Sequence, residues 1–160
     1  MLARVFDNSG TALVASFQVN TTGTGTGSIQ RRPDIETFSN GDYLVAWDSV
    51  QDGDATGIYM QRFNSSNQMV SISGGAVQAD EVQVNTITTG NQEDVSVSVL
   101  SNGGFVVTWD SYVSAGNSQD GSGFSVAARL YDASGTAVQI TGAANADEFI
   151  VNTYTTGDQS

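Results

Sequence analysis

DEVQVNT runs from Asp80 to Thr86, DEFIVNT from Asp147 to Thr153, and ASFQVNT from Ala15 to Thr21. One chain spells nearly the same seven residues three times. Self-similarity at a fixed spacing marks a repeat architecture, and here it extends well beyond the heptad. Before it stand ARVFDNSGTAL at Ala3–Leu13, QRFNSSNQMV at Gln61–Val70 and ARLYDASGTAV at Ala128–Val138. The middle copy is one residue shorter. After it comes TTG, a polar residue and Gln, at Thr88–Gln92 and Thr155–Gln159. A third pair is SNGDYLVAWDS at Ser39–Ser49 and SNGGFVVTWDS at Ser101–Ser111, and a fourth is QDGDATG at Gln51–Gly57 and QDGSGFS at Gln119–Ser125.

Trp47 and Trp109 stand 62 positions apart, and Arg62 and Arg129 67. Each unit therefore holds four short segments of strand character. Strand A is Pro33–Phe38 and Asp94–Leu100, where Val95, Val97 and Val99 alternate with Asp94, Ser96 and Ser98. That period of two marks a half-buried strand. Strand B is Tyr43–Trp47 and Phe105–Trp109, apolar almost throughout and so expected to be buried on both faces. Asn40-Gly41 and Asn102-Gly103 join A to B; Asn-Gly accepts positive φ at both central positions and predicts a hairpin. Strand C is the arginine segment and strand D the VNT segment. Pro33, the single proline, opens strand A, where a missing N–H costs little.

The chain reads C-D, then A-B-C-D twice. We expect one repeat domain over residues 1–160, with a half-unit at 1–30, a first full unit at 31–90 and a second at 91–160. The expected fold is all-β, with four-stranded antiparallel units arranged as part of a β-propeller. A β-sandwich or β-solenoid built from the same strands is the alternative. Met1 reads as an internal start or a cloning addition. The half-unit implies either a piece of a longer array or chains that assemble to cover their open edges.

Composition narrows the function classes. There are 160 residues, enough for one core, with 39 % apolar residues, 17 acidic residues, five arginines, and no Lys, His or Cys. The net charge is −12. Nucleic acid and anionic membranes need a basic face that this chain cannot build. Without cysteine there is no disulfide framework, thiolate catalysis or zinc–thiolate site. No apolar run is long enough to span a bilayer. An acidic surface suits hard cations such as calcium, and serves solubility equally well.

NGGFVVTWDS, QDGSG, ARLYDASGTAV, DEFIVNT and TTGDQ, taken together, resemble the repeats of large bacterial secreted proteins, the calcium-binding RTX-type adhesins and related surface proteins. The resemblance covers nearly the whole chain. It implies blade-like four-stranded units, an extracellular or cell-surface location and an adhesive or structural role. The RTX calcium nonapeptide GGxGxDxUx is absent; GGAVQAD at Gly74–Asp80 departs from it. Calcium binding is therefore not carried over from that motif.

Asp48, Asp52 and Asp54, with Asp110 and Asp120 in the next unit, are the candidate calcium ligands. Alternate carboxylates around a glycine can curl about an ion that takes six to eight oxygens. The competing expectation is that Asp-Gly only turns the B–C connection. Arg4, Arg62 and Arg129 are placed equivalently in strand C, with Asp48 and Asp110 as cross-strand ion-pair partners of Arg62 and Arg129. Trp47 and Trp109 are expected in the core, and Tyr59, Tyr112 and Tyr154 as an exposed ligand platform. Asn20, Asn85 and Asn152 are expected to bond local backbone in Asx-type turns. Catalysis would need a carboxylate pair from Asp34, Glu36, Glu93 and Asp94, and nothing sets such a pair across a cleft. The expected function is a non-enzymatic extracellular structural or adhesive module that self-associates or belongs to a larger array. The alternative is a lectin-like module binding carbohydrate or protein, with calcium as its one conceivable cofactor.

Overall fold

Two turns of identical design open the two full units. Phe38 N–H donates to the Asp42 carbonyl at 2.8 Å and Gly41 N–H to the Phe38 carbonyl at 2.9 Å; Leu100, Gly104 and Gly103 repeat the pattern at 2.8 and 2.9 Å. Gly41 and Gly103 take φ of +85° and +84°, whereas the preceding asparagines stay at negative φ. Each asparagine instead accepts, through Oδ1, the N–H two residues on, from Asp42 and Gly104. These are longer, glycine-bulged hairpins, not the two-residue turns the dipeptide suggested.

The computed structural model describes residues 1–21, 29–51, 55–72, 81–112, 123–140, 147–154 and 156–159. Its strands are β1 (Leu2–Ala3), β2 (Phe17–Gln18), β3 (Gln30–Thr37), β4 (Tyr43–Ser49), β5 (Gly57–Phe63), β6 (Met69–Val70), β7 (Val82–Gln83), β8 (Asn91–Val99), β9 (Phe105–Tyr112), β10 (Phe124–Tyr131) and β11 (Glu148–Ile150). No helix occurs among the described residues. The strands form three antiparallel sheets, none closed on itself. One is β1-β2, one is β3-β4-β5-β6 with β7 also pairing β5, and one is β11-β10-β9-β8.

Strand A starts earlier than expected, at Gln30 and Asn91. In both units its register slips once, between Arg31 and Asp34 and between Glu93 and Ser96. Arg32 (φ +48°) and Asp94 (φ +56°) occupy the extra positions. Pro33 thus lies inside a β-bulge rather than at the strand start, in a place where the ladder needs no N–H.

The sheets stack face to face. One face of β4 and β5 (Tyr43, Val45, Trp47, Tyr59 and Phe63) packs on Val19, Met1, Ala3 and Phe17 of the half-unit. The other face (Leu44, Ala46, Ile58 and Met60) packs on Val97, Phe105, Val107 and Trp109 of the second full unit. Every residue of β4 is accordingly buried. In β9 burial alternates, with Phe105, Val107, Trp109 and Ser111 buried and Val106, Thr108 and Asp110 half-buried. The expected two-faced burial therefore holds for β4 and not for β9, because only β4 has a neighbouring sheet on both sides. Stacked ring pairs mark the shared register: Tyr43 on Phe63 at 5.1 Å and Phe105 on Tyr131 at 4.6 Å between centroids.

The contact between units can be tested at a single atom. Gly10 and Gly135 hold the same place in the same turn, with φ of +81° and +79°. A Cβ on Gly10 meets nothing within 4 Å, whereas one on Gly135 would sit 1.5 Å from the Ile72 carbonyl oxygen of the first full unit. Gly10→Ala is expected to cost about 1 kcal/mol of left-handed strain. Gly135→Ala adds overpacking, for roughly 2–4 kcal/mol in all. Urea unfolding of both variants reads the difference; equal losses would mean that the units do not meet at this turn.

Candidate functional site: the contacts between units

The repeated heptad turns out to be a set of fasteners. Its asparagine reaches back to strand C. Asn85 Oδ1 accepts Ile58 N–H at 2.8 Å, and Asn152 Oδ1 accepts Val126 N–H at 3.0 Å. Their Nδ2 groups donate to the Ile87 and Tyr154 carbonyls, each at 2.8 Å, and to the glutamines that end TTGNQ and TTGDQ, Gln92 at 3.2 Å and Gln159 at 3.0 Å. The expected Asx turn is thus replaced. The local contact runs through the amide nitrogen, and the oxygen satisfies a backbone donor on a distant strand. This also accounts for the recurrence of TTG-x-Gln.

The glutamate of each heptad crosses to the preceding unit. Glu81 Oε2 accepts Thr21 N–H at 2.9 Å. Glu148, 1 % exposed, accepts Thr86 N–H and Oγ1–H, both at 2.6 Å, and Ile87 N–H at 3.3 Å. Thr21 and Thr86 are the closing residues of their own heptads. The middle heptad, DEVQVNT, therefore offers a threonine to the unit after it and a carboxylate to the unit before it. Charge-assisted bonds of this kind are the stronger ones. Sequence reading missed this latch, although its signal was present: the first copy, ASFQVNT, keeps the threonine and has Ser16 where the others have glutamate.

The arginines divide. In register with the turn residues Asp7, Asn64 and Asp132, whose side chains each accept the N–H groups two and four residues on, Arg4 matches Arg129 and Gln61, while Arg62 matches Leu130. The one-residue offset puts Arg62 and Arg129 on opposite faces of their sheets. Arg62 pairs with Asp42 at 2.9 Å, its guanidinium 4.2 Å from the Phe38 ring centroid. Arg129 pairs with Asp147 at 2.9 Å and donates to the Val84 carbonyl of the preceding unit at 2.8 Å. Neither expected partner, Asp48 or Asp110, is involved.

Asp48 belongs to another network. Fully buried, it holds Arg31 at 2.7 Å and Arg32 at 3.4 Å from the bulge beside it. Across the unit boundary Arg32 binds Glu93 and also Asp94, the latter at 2.9 Å. Burial pushes the Asp48 carboxyl up, against the pull of both arginines. The hydrogen bond to Glu93 raises the Arg32 guanidinium further. A cation at Asp48 would have to displace two guanidinium groups. Asp110 stands at the equivalent position, but its cross-strand neighbour is Glu93. Burial, then Asp94 and Glu93, push its carboxyl up. Asp52, Asp54 and Asp120 lie outside the described residues. Among the described residues no group of three acidic or histidine side chains is arranged to hold a metal ion.

The aromatic platform does not come together either. Tyr59 is 6 % exposed, packed between the half-unit and the first full unit. Tyr112 and Tyr154 are exposed, and the Tyr112 ring sits 4.7 Å from Phe124. Trp47 and Trp109 are buried in the two cores. Among the carboxylates, Asp34 accepts Val97 N–H at 2.7 Å and Ser96 Oγ–H at 3.1 Å from the next unit, Glu93 and Asp94 are held by arginine, and Glu36 is half-buried on β3.

Against known proteins, the chain matches no family model, no curated protein and no solved structure.

Two substitutions probe these contacts. Glu148→Ala leaves the Thr86 and Ile87 donors without their acceptor and is expected to destabilise by about 2–3 kcal/mol in chemical unfolding; a loss near zero would remove the latch as a structural element. Asp110→Asn relieves a like-charge cross-strand pair and is expected to stabilise by about 0.5 kcal/mol at neutral pH. Because the folded-state pKa of Asp110 is raised, the native protein binds its proton more readily than the unfolded chain. The gain from Asn therefore shrinks as pH falls through the raised value and vanishes below the unfolded one. A gain that grows on acidification would contradict the assignment.

Proposed function

We propose that this chain is a non-enzymatic structural or adhesive repeat module, working outside the cell or at its surface, whose units stack as blades of a β-propeller-like array. The observation that carries the reading is the duplication of one interface. Half-unit on first unit and first unit on second unit share the same packing faces, and both carry a Glu-to-Thr latch. The outer face of the half-unit presents the kinds of residue that are buried between units. Leu2 is 67 % and Phe6 53 % exposed, while their register equivalents Ala127 and Tyr131 are 0 % and 4 %. On the face of the first unit that the half-unit covers only in part, Ile35 is 57 % exposed where its equivalent Val97 is 4 %. Exposed apolar surface of this extent calls for a partner, and the partner that already fits is another repeat unit. The resemblance to secreted adhesin repeats and the acidic, lysine-free composition agree with such a role.

The mass in solution tests it, by size-exclusion chromatography with light scattering over a range of concentrations. A defined oligomer or an extending polymer is expected. A folded monomer at every concentration would overturn the assembly reading. Hydrolysis of a polysaccharide, abolished by mutating a single carboxylate pair, would overturn the non-enzymatic one. Repeating the measurement with EDTA separates assembly that needs calcium from assembly that does not.

A further inference from the structure

Resting on that assembly reading, the register of the repeats identifies which surfaces meet and through which atoms. At the boundary between the two full units, the second unit contributes the face of Ala127, Arg129 and Tyr131. Arg129 reaches over the boundary to the Val84 carbonyl, the residue just before the VNT asparagine. In the half-unit the same face carries Leu2, Arg4 and Phe6. The pairings Leu2↔Gln18 and Ala3↔Phe17, set beside Ala127↔Ile150 and Ala128↔Phe149, place Arg4 at the position of Arg129. Even the local posture agrees: each guanidinium lies 5.5 Å from the centroid of the ring two residues on, Phe6 or Tyr131. Arg4 is exposed and forms no ion pair among the described residues.

The far side of the second unit offers the matching surface. Val106, Thr108, Val126 and Leu130 are half-buried there, whereas Leu44, Ala46 and Ile58, which do the same work in the first unit, are 0 % exposed under their neighbour. Val151, the counterpart of Val84, is 49 % exposed, and its carbonyl accepts no hydrogen bond among the described residues. Thr153, the counterpart of Thr86, is exposed and meets no carboxylate among the described residues.

We propose that the outer face of the second full unit docks the outer face of the half-unit of a second copy of this chain, head to tail, with Arg4 of that copy donating to the Val151 carbonyl. The contact repeats between chains the boundary seen within the chain. It differs in one respect. The half-unit has Ser16 where Glu81 and Glu148 form the latch, and Ala15 where Asp147 holds Arg129. The docking thus has its apolar face and its arginine but lacks its carboxylate. The wild-type contact is therefore weaker than the contact within the chain, and one residue strengthens it. Such a heterologous contact closes a ring if the rotation permits and otherwise extends a filament.

The test is sedimentation equilibrium of the full chain as wild type, Ser16→Glu and Arg4→Glu, with circular dichroism as the folding control. Both sites are solvent-exposed. Ser16→Glu is expected to tighten association roughly tenfold by giving Thr153 of the neighbouring copy its missing acceptor, and Arg4→Glu to weaken it at least as much. If wild type associates and neither variant changes the dissociation constant, this docking is wrong while the assembly reading stands. If neither wild type nor Ser16→Glu associates, both fall.

Discussion

A β-sheet that is apolar on both faces must be covered on both faces, and the first full unit is such a sheet. Leu44, Ala46, Ile58 and Met60 on one side and Trp47 and Phe63 on the other are all 0 % exposed. Burying each of the larger aliphatic side chains contributes roughly 1.5–3 kcal/mol, so a bare face would lose more than any single polar contact returns. Stacking follows from this, and so does the recurrence of the unit. A sheet of this composition is stable only between neighbours, and the eleven-residue stretch around each tryptophan accordingly recurs.

Apolar burial carries no direction, however, and would tolerate a sheet turned over or slipped by two residues. Direction comes from the polar contacts at the boundary. Glutamate always reaches from the later unit to the earlier threonine, Arg129 from the later unit to the earlier carbonyl, and Asp34 from the earlier unit to the later backbone at Val97. Each such bond is worth only about 1–3 kcal/mol. Because its alternatives leave a buried donor or acceptor unpaired, it penalises wrong registers more than it stabilises the right one. Stability and register are thus supplied by different residues of the same heptad, the valines for the first and the glutamate and threonine for the second.

The repeat, the strand set and the A–B hairpins were legible in the sequence because each depends on local pattern: period-two alternation, Asn-Gly turns and self-similarity. The side-chain partners were not, for two physical reasons. First, a strand reverses its facing at every residue. In the copy that runs from Met60 to Val70 the arginine stands one position later, with Gln61 at the place of Arg129, so Arg62 lies on the opposite face and matching by residue type concealed it. Second, the decisive contacts cross between units. Arg32 finds Glu93 and Asp94 only across the boundary between the two full units, and Tyr59 is buried only because the half-unit lies over it. No window of one unit contains that information.

The bulges also show that the units are relatives with assigned places rather than interchangeable copies. Arg31-Arg32 and Glu93-Asp94 hold the same two positions of successive units, and they face one another across the boundary. Had both units kept the basic pair, two guanidinium groups would meet two more; had both kept the acidic pair, Asp48 would lie buried with no counter-charge, a costly state for a carboxylate. Asp110, facing Glu93 where Asp48 faces Arg31, approaches that second situation and survives because it is only half-buried. Covering that face completely would remove water from Asp110. A neighbour that sets a cation close to it is therefore favoured over one that brings further carboxylates. The apolar faces accept any unit with the same strand pattern, and the charge at the bulge discriminates among such units.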